Sequence, residues 1–164
     1  MKRIGILLIA TVGIMSCMSY GSRDPNATTA EEIEPYESWT KVNAETITGD
    51  EFGVLGRAHQ GADGFREVFI NSTGVEVSSG EASLPYPRGT IIVKESFTNS
   101  GGEKGRLTSL TVMVKREAGY DAANGNWEYL NMSPSFRIRS GGRLNGCIQC
   151  HYSAPNDFVF TDNR

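Results

Sequence analysis

Beyond residue 64 the apolar and polar positions repeat with a period of two, the spacing that puts alternate side chains on opposite faces of a strand. "FREVFIN" (65–71) reads as a strand that ends at the polar turn "NSTG". In "GTIIVKESF" (89–97), Ile91, Val93, Glu95 and Phe97 share one face, while Ile92, Lys94 and Ser96 share the other. "TNSGGEKG" is a glycine-rich turn, and "RLTSLTVMVKRE" (106–117) follows it as a third strand. After the loop "GYDAANGN", "WEYLNMS" (127–133) makes a fourth. Upstream, "YESWTKVN" opens as a short helix with Trp39 as its anchor in the core. Downstream, "SFRIRSGGRLNGCIQCH" runs into a second short helix. Strands joined by short turns pair antiparallel, so the predicted class is α+β, mostly β. No stretch has the length and periodicity of four bundle helices.

The first 35 residues break this pattern. "MKRIGILLIATVGIMSC" starts with Lys2 and Arg3 and continues in an apolar run too short to span a bilayer, which is the pattern of an export signal. "IMSC" resembles the bacterial lipobox, in which Cys17 would be lipidated and become the first residue; ordinary cleavage a few residues later is the alternative. Residues 18–35 are small, polar and punctuated by proline, and read as a flexible tether. The predicted organisation is therefore a leader at 1–17, a tether at 18–35 and one folded domain at 36–164. The expected location is the periplasm or, with the lipid, the outer membrane of a Gram-negative bacterium. Membrane association is then by the anchor at Cys17 alone.

Composition changes little in this picture. A chain of 164 residues with 38% hydrophobic residues is one globular domain. The 16 basic residues fall to 14 once Lys2 and Arg3 leave with the leader, so against 19 acidic residues the mature net charge is −5. No basic cluster is present, which argues against a nucleic-acid partner.

The cysteines carry the candidate chemistry. With Cys17 assigned to the leader, Cys147 and Cys150 remain, followed directly by His151. A disulfide as in thioredoxin-like sites is one reading, but such sites open a long helix, and only 13 residues follow His151. Zinc would need a second ligand pair, and the other histidine, His59, is distant in sequence. C-x-x-C-H is the spacing of covalent c-type haem attachment: two thiols meet the two vinyl groups and the imidazole falls under the iron. That attachment takes place outside the cytoplasm, in agreement with export. Small all-helical cytochromes place the motif early with a methionine ligand after it, whereas no methionine follows His151 here.

Three segments taken together resemble the cytochrome P-460 and cytochrome c′-beta family: "FREVFIN", "PYPRGTIIVKESF", and "NWEYL" with the C-terminal "CIQCHYSAPNDFVFT". The resemblance covers roughly residues 36–164. It implies a mostly antiparallel β fold, commonly a homodimer, carrying one haem c through Cys147 and Cys150. His151 would be the proximal iron ligand, and the distal position would be open to small ligands. Family members either oxidise hydroxylamine or bind nitric oxide or carbon monoxide.

The resemblance also assigns roles on the distal side. The hydroxylamine-oxidising enzymes link a lysine covalently to the haem edge, and "VKE" places that lysine at Lys94. Taken alone, a strand lysine faces water at a sheet edge. These enzymes also hold a glutamate above the iron, and the matching position here is Thr111, which cannot take up a proton at neutral pH. Arg66 matches a distal arginine able to hydrogen-bond a bound N–O species; the plainer reading pairs it with Glu67 or leaves it at the surface. Phe69, Phe97 and Met113 either wall the pocket or belong to the core. His59, in a glycine-rich loop, is expected in solvent.

The expectation is thus an exported mono-haem cytochrome that binds or converts a small diatomic or N-oxide and exchanges electrons with a redox partner protein. If it is an enzyme, it is an oxidoreductase acting on hydroxylamine or nitric oxide with a Lys94–haem link. The alternative is a low-spin electron carrier, with Met113, Met132 or His59 as sixth ligand.

Overall fold

In the computed structural model, the structure describes residues 27–50, 59 and 63–160. The export signal and Cys17 lie outside the described residues. The described chain forms one six-stranded antiparallel sheet in sequence order, β1 (Thr40–Lys41), β2 (Phe65–Ile70), β3 (Ile91–Ser100), β4 (Glu103–Lys115), β5 (Trp127–Met132) and β6 (Ile138–Gly142). Three short helices accompany it: α1 (Ala30–Ile33), α2 (Val75–Ser78) and α3 (Asn145–His151). No helix among the described residues is long and apolar enough to cross a membrane.

The four predicted strands are β2 to β5. Their centre is the β3–β4 hairpin, closed by Gly101 and Gly102 at φ 66° and 96°. Two successive positive φ angles make the turn whose twist matches that of the strands, and glycine adopts them without a Cβ clash. Asn99 Oδ1 accepts the Gly102 N–H at 2.7 Å and holds the turn.

Both faces of the sheet are covered, which explains why β3 and β4 read as nearly continuous apolar runs. On the near face Val68, Ile70, Ile92, Met113, Trp127 and Tyr129 pack with Tyr86 and Val159; Leu144 joins them, and α3 adds Cys147 and Ile148. On the far face Val93, Leu110, Val112, Val114, Leu130 and Met132 pack under Ile33 and Tyr36. Burying a large apolar side chain contributes about 1.5–3 kcal/mol, so the two layers hold the sheet from both sides.

Three expectations change here. The end of the proposed tether is structured: Glu32 reaches back to accept the Thr29 N–H at 2.7 Å, α1 follows, and Ile33 is fully buried. The polar run "TTAEE" is a helix start with its acidic first turn, not a linker. A 3₁₀ turn over Glu34–Ser38 then buries Tyr36, whereas Trp39 is only half-buried. Finally, "IRSGG" is a strand. Its exposed arginine and open edge obscure the period-two signal, and the Asn131 amide donates to Ser140 Oγ at 2.9 Å to tie it to β5.

Candidate functional site

α3 crosses the near face of the sheet. Cys147 and Cys150, three residues apart, share one side of it, and both are free, half-buried thiols. His151 follows at the end of the helix, its ring 5.3 Å from that of Tyr129 on β5 and 5.5 Å from that of Phe160. Its Nδ1–H donates to the Phe158 carbonyl at 2.8 Å. That bond fixes the tautomer and leaves Nε2 unprotonated, as second-shell carbonyls do for metal-bound imidazoles. Burial pushes the His151 pKa down against the Phe158 bond, which raises it, and this favours the neutral imidazole a metal needs.

The Phe158 carbonyl is itself held firmly. Asp157 and Phe158 both have left-handed backbones, φ 53° and 69°. Asp157 Oδ2 accepts from Lys115 Nζ at 2.6 Å and from the Tyr86 N–H at 2.9 Å, while its carbonyl accepts Trp127 Nε1–H at 2.8 Å. Lys115 also sits over the Trp127 ring at 4.8 Å. Trp127, Lys115 and Tyr86 therefore clamp the segment that orients His151.

Lys94 is on this same near face, on a central strand and not an edge, contrary to the plain reading of a lysine in water. It is half-buried, and burial outweighs the attraction of Cys147 and lowers its pKa to about 7. The Cys147 thiol is pushed up by burial and by Cys150, against the pull of Lys94. Thr111 pairs directly with Lys94 across β3 and β4, and the row continues to Val68 and Asn131. No carboxylate occupies this row, and Glu95 turns to the far face, where it accepts from Tyr36 OH at 2.7 Å.

Other candidates are placed differently. Arg66 is 4% exposed, with its guanidinium donating to the backbone carbonyls of Gly49 and Gly64. Burial lowers its pKa and Asp50 raises it. It is thus neither at the surface nor paired with Glu67, whose partners are Lys41 and Lys104. Phe69 lies on the far face against Tyr36, and Phe97 is covered by Lys104, so neither walls the site; Met113 belongs to the near-face core. Met132 is in the far-face core, away from His151. His59 is not out in solvent: its ring is half-buried, 6.3 Å from the ring of His151, with Nδ1 hydrogen-bonded to Lys94 Nζ. The glycines around it carry no facing information, which is why the sequence placed it in water.

Two features test whether these residues suit a haem. The Tyr129 hydroxyl is buried beside His151 with no hydrogen-bond partner among the described residues, and burial raises its pKa. α3 buries none of its residues, although it carries Cys147 and Ile148 against the apolar near face, with Leu144 just before it. An apolar sheet face, a half-covered helix, two thiols and an imidazole with a free Nε2 fit a flat apolar macrocycle with a metal at its centre. Asp157, Phe158 and Tyr129 were missed in the sequence because a backbone carbonyl and an orphan hydroxyl leave no motif.

Fold and site together define a β-sheet protein whose C-terminal helix holds two thiols and an imidazole against an apolar sheet face, a setting that suits a haem. The sequence matches the cytochrome P460 family over residues 33–161, and the chain belongs to that family. Its cofactor is accordingly a haem of the c type. No curated protein matches the sequence.

Proposed function

We propose that this chain is an exported c-type cytochrome whose distal face binds a small neutral nitrogen oxide or diatomic, with nitric oxide and carbon monoxide as the ligand class. The observation that carries the reading is the bond from His151 Nδ1–H to the Phe158 carbonyl, because it leaves Nε2 unprotonated and so able to hold an iron. Cys147 and Cys150 would hold the cofactor on α3, each thiol adding its S–H across one vinyl group without net redox change. The bound haem supplies an iron centre able to coordinate a small ligand and change oxidation state.

The near face then decides what reaches the iron. Val68, Ile92 and Met113 surround Lys94 with apolar surface, which disfavours anions and admits neutral ligands. Hydroxylamine oxidation would release protons near the iron. Thr111 offers them no acceptor, so ligand binding is preferred over N-oxidation. Lys94 is the residue that would link to the haem edge. Residues 1–17 supply the export signal, with Cys17 as the lipid site, and a redox protein supplies electrons.

The test is to produce the full chain in a host with c-type maturation and record ferrous spectra with and without carbon monoxide. Covalent haem that shifts on adding carbon monoxide is expected. A chain without haem would overturn the reading, and covalent haem unresponsive to carbon monoxide would make it an electron carrier. A haem peptide branched at Lys94 would establish the cross-link.

A further inference from the structure

The charges of this chain are segregated. Residues 133–156, which follow β5 and run through β6 and α3, contain Arg137, Arg139 and Arg143 and no aspartate or glutamate. In the chain as a whole, acids outnumber lysines and arginines 19 to 16. All three arginines are exposed, and β6 pairs only with β5, so they line an open sheet edge that leads into the helix with Cys147, Cys150 and His151. The cover of the far face has the opposite sign. There α1 and the 3₁₀ turn after it expose Glu31, Glu32, Glu34 and Glu37 and hold no base.

Pairing sets the three arginines apart. Lys41, Arg88, Lys104, Lys115 and Arg116 each meet a carboxylate at 2.6–3.9 Å. Arg137, Arg139 and Arg143 form no ion pair among the described residues; Arg143 lies over the Tyr120 ring at 5.3 Å. Charge of either sign would keep a sheet edge from self-pairing. A uniformly positive edge on an acidic chain needs a further reason. At the other end of α3, Tyr152 follows His151 and is 69% exposed. Arginine and tyrosine are side chains that protein interfaces favour over the rest of the surface.

We infer that β6 and α3 form the docking surface for an acidic one-electron carrier protein, with Arg137, Arg139 and Arg143 steering it and Tyr152 packing against it. The inference rests on the haem c reading above and adds the place and the charge of the redox partner. The acidic far face turns such a partner away and the arginines draw it in, so encounters concentrate at the helix that would hold the haem. One electron crosses in each encounter: the carrier loses it and ferric iron becomes ferrous, or the reverse, with no bond made or broken. The arginines are spread among Ile138, Ser140 and two glycines, so no run of basic residues marks this surface in the sequence.

The test uses the haem-loaded full chain with flavodoxin, an acidic flavin protein, as the probe. Stopped-flow mixing with flavodoxin hydroquinone reads haem reduction, and calorimetry with oxidised flavodoxin reads binding alone. The reduction rate should fall at least about tenfold between about 10 and about 300 mM salt. Combining Arg137→Gln, Arg139→Gln and Arg143→Gln should weaken binding, lower the low-salt rate at least about tenfold and flatten the salt dependence. The corresponding triple lysine variant should keep both rate and salt dependence. Arg106→Gln, at another exposed arginine, is the control and should change the rate less than about twofold. A salt-independent rate, a control effect as large as that of the triple variant, or a lysine variant as slow as the glutamine one would overturn the inference. So would binding without electron transfer to a haem-loaded chain. If the glutamine variant loses binding to phosphatidylglycerol vesicles while flavodoxin reduction is unchanged, the surface meets a lipid and the inference falls. It falls equally if that variant abolishes a salt-dependent self-association, which would assign the surface to a second copy. A chain that binds flavodoxin through the arginines yet carries no haem would strike the reading above and leave the surface standing.

Discussion

The imidazole of His151 and the carbonyl of Phe158 are joined across a seven-residue turn by a 2.8 Å hydrogen bond, and this contact selects which ring nitrogen is free. Phe158 sits at φ 69°, a conformation that costs a non-glycine residue about 1–2 kcal/mol. Such a backbone persists where its surroundings over-determine it. Here Asp157, Trp127, Lys115 and Tyr86 do so, which ties ligand orientation to the packing of β4 and β5.

Replacement of His151 by alanine separates attachment from coordination. Cys147 and Cys150 remain, so the haem should stay covalently bound under denaturing electrophoresis. The iron should nevertheless lose its normal spin state, and added imidazole should recover part of it. If the haem is lost altogether from His151→Ala while the chain still folds, the thiols are not sufficient for attachment.

Asp157 tests the clamp. Lys115 and Asp157 are 8% and 10% exposed, so Asp157→Ala leaves a buried ammonium without its partner, at a cost of about 3–5 kcal/mol. Thermal unfolding should show a large drop for Asp157→Ala and a much smaller one for the double replacement Lys115→Met with Asp157→Leu. The freed Phe158 carbonyl should also weaken the iron–histidine stretch in the ferrous Raman spectrum of either variant. An unchanged stretch would mean that the carbonyl is held without Asp157.

Gly125 gives a local test of the same segment. Its φ is +68°, and a Cβ there would come within 2.5 Å of the Phe158 ring. Gly125→Ala combines backbone strain with overpacking and should cost about 2–4 kcal/mol by urea unfolding. Gly119, at φ +93° with open space around it, supplies the control: Gly119→Ala should cost only about 1 kcal/mol. Equal losses at the two positions would show that Phe158 moves aside freely.

These contrasts mark how far the sequence could be read. The period-two alternation in "IIVKESF" and "LTVMVK" placed β3 and β4, because both faces of those strands are buried and each side chain's parity decides its layer. The same parity put Lys94 beside Ile92 on the face that α3 covers. By contrast, β6 carries its signal in Ile138 alone, and α1 was hidden because Ile33 is a single apolar residue in a polar run. Cys147, Cys150 and His151 were legible from spacing, since little more than one turn of α3 is enough to align them. The Phe158 carbonyl, the Tyr129 hydroxyl and the turned-in His59 depend on contacts between residues far apart in the chain, and local patterns do not encode those.

The far face gives a pH prediction independent of the haem. Burial pushes the Glu67 pKa up, but hydrogen bonds from Lys104, Thr46 and Lys41 and the Lys104 charge together outweigh it and hold the carboxyl at about 2. A carboxylate depressed in the folded state stabilises the fold fully above its unfolded pKa, and that contribution fades as pH falls toward the folded value. Wild-type stability should therefore decline from about pH 5 down to pH 2, and Glu67→Gln should flatten that decline. At pH 7 the substitution should cost only about 1 kcal/mol, because Lys41 and Lys104 are 36% and 41% exposed and solvent screens the pairs. The measurement is urea unfolding of both proteins across this pH range, following intrinsic tryptophan fluorescence. Parallel stability curves for the two proteins would show that Glu67 titrates with an ordinary pKa and that the lysine pair does not hold it.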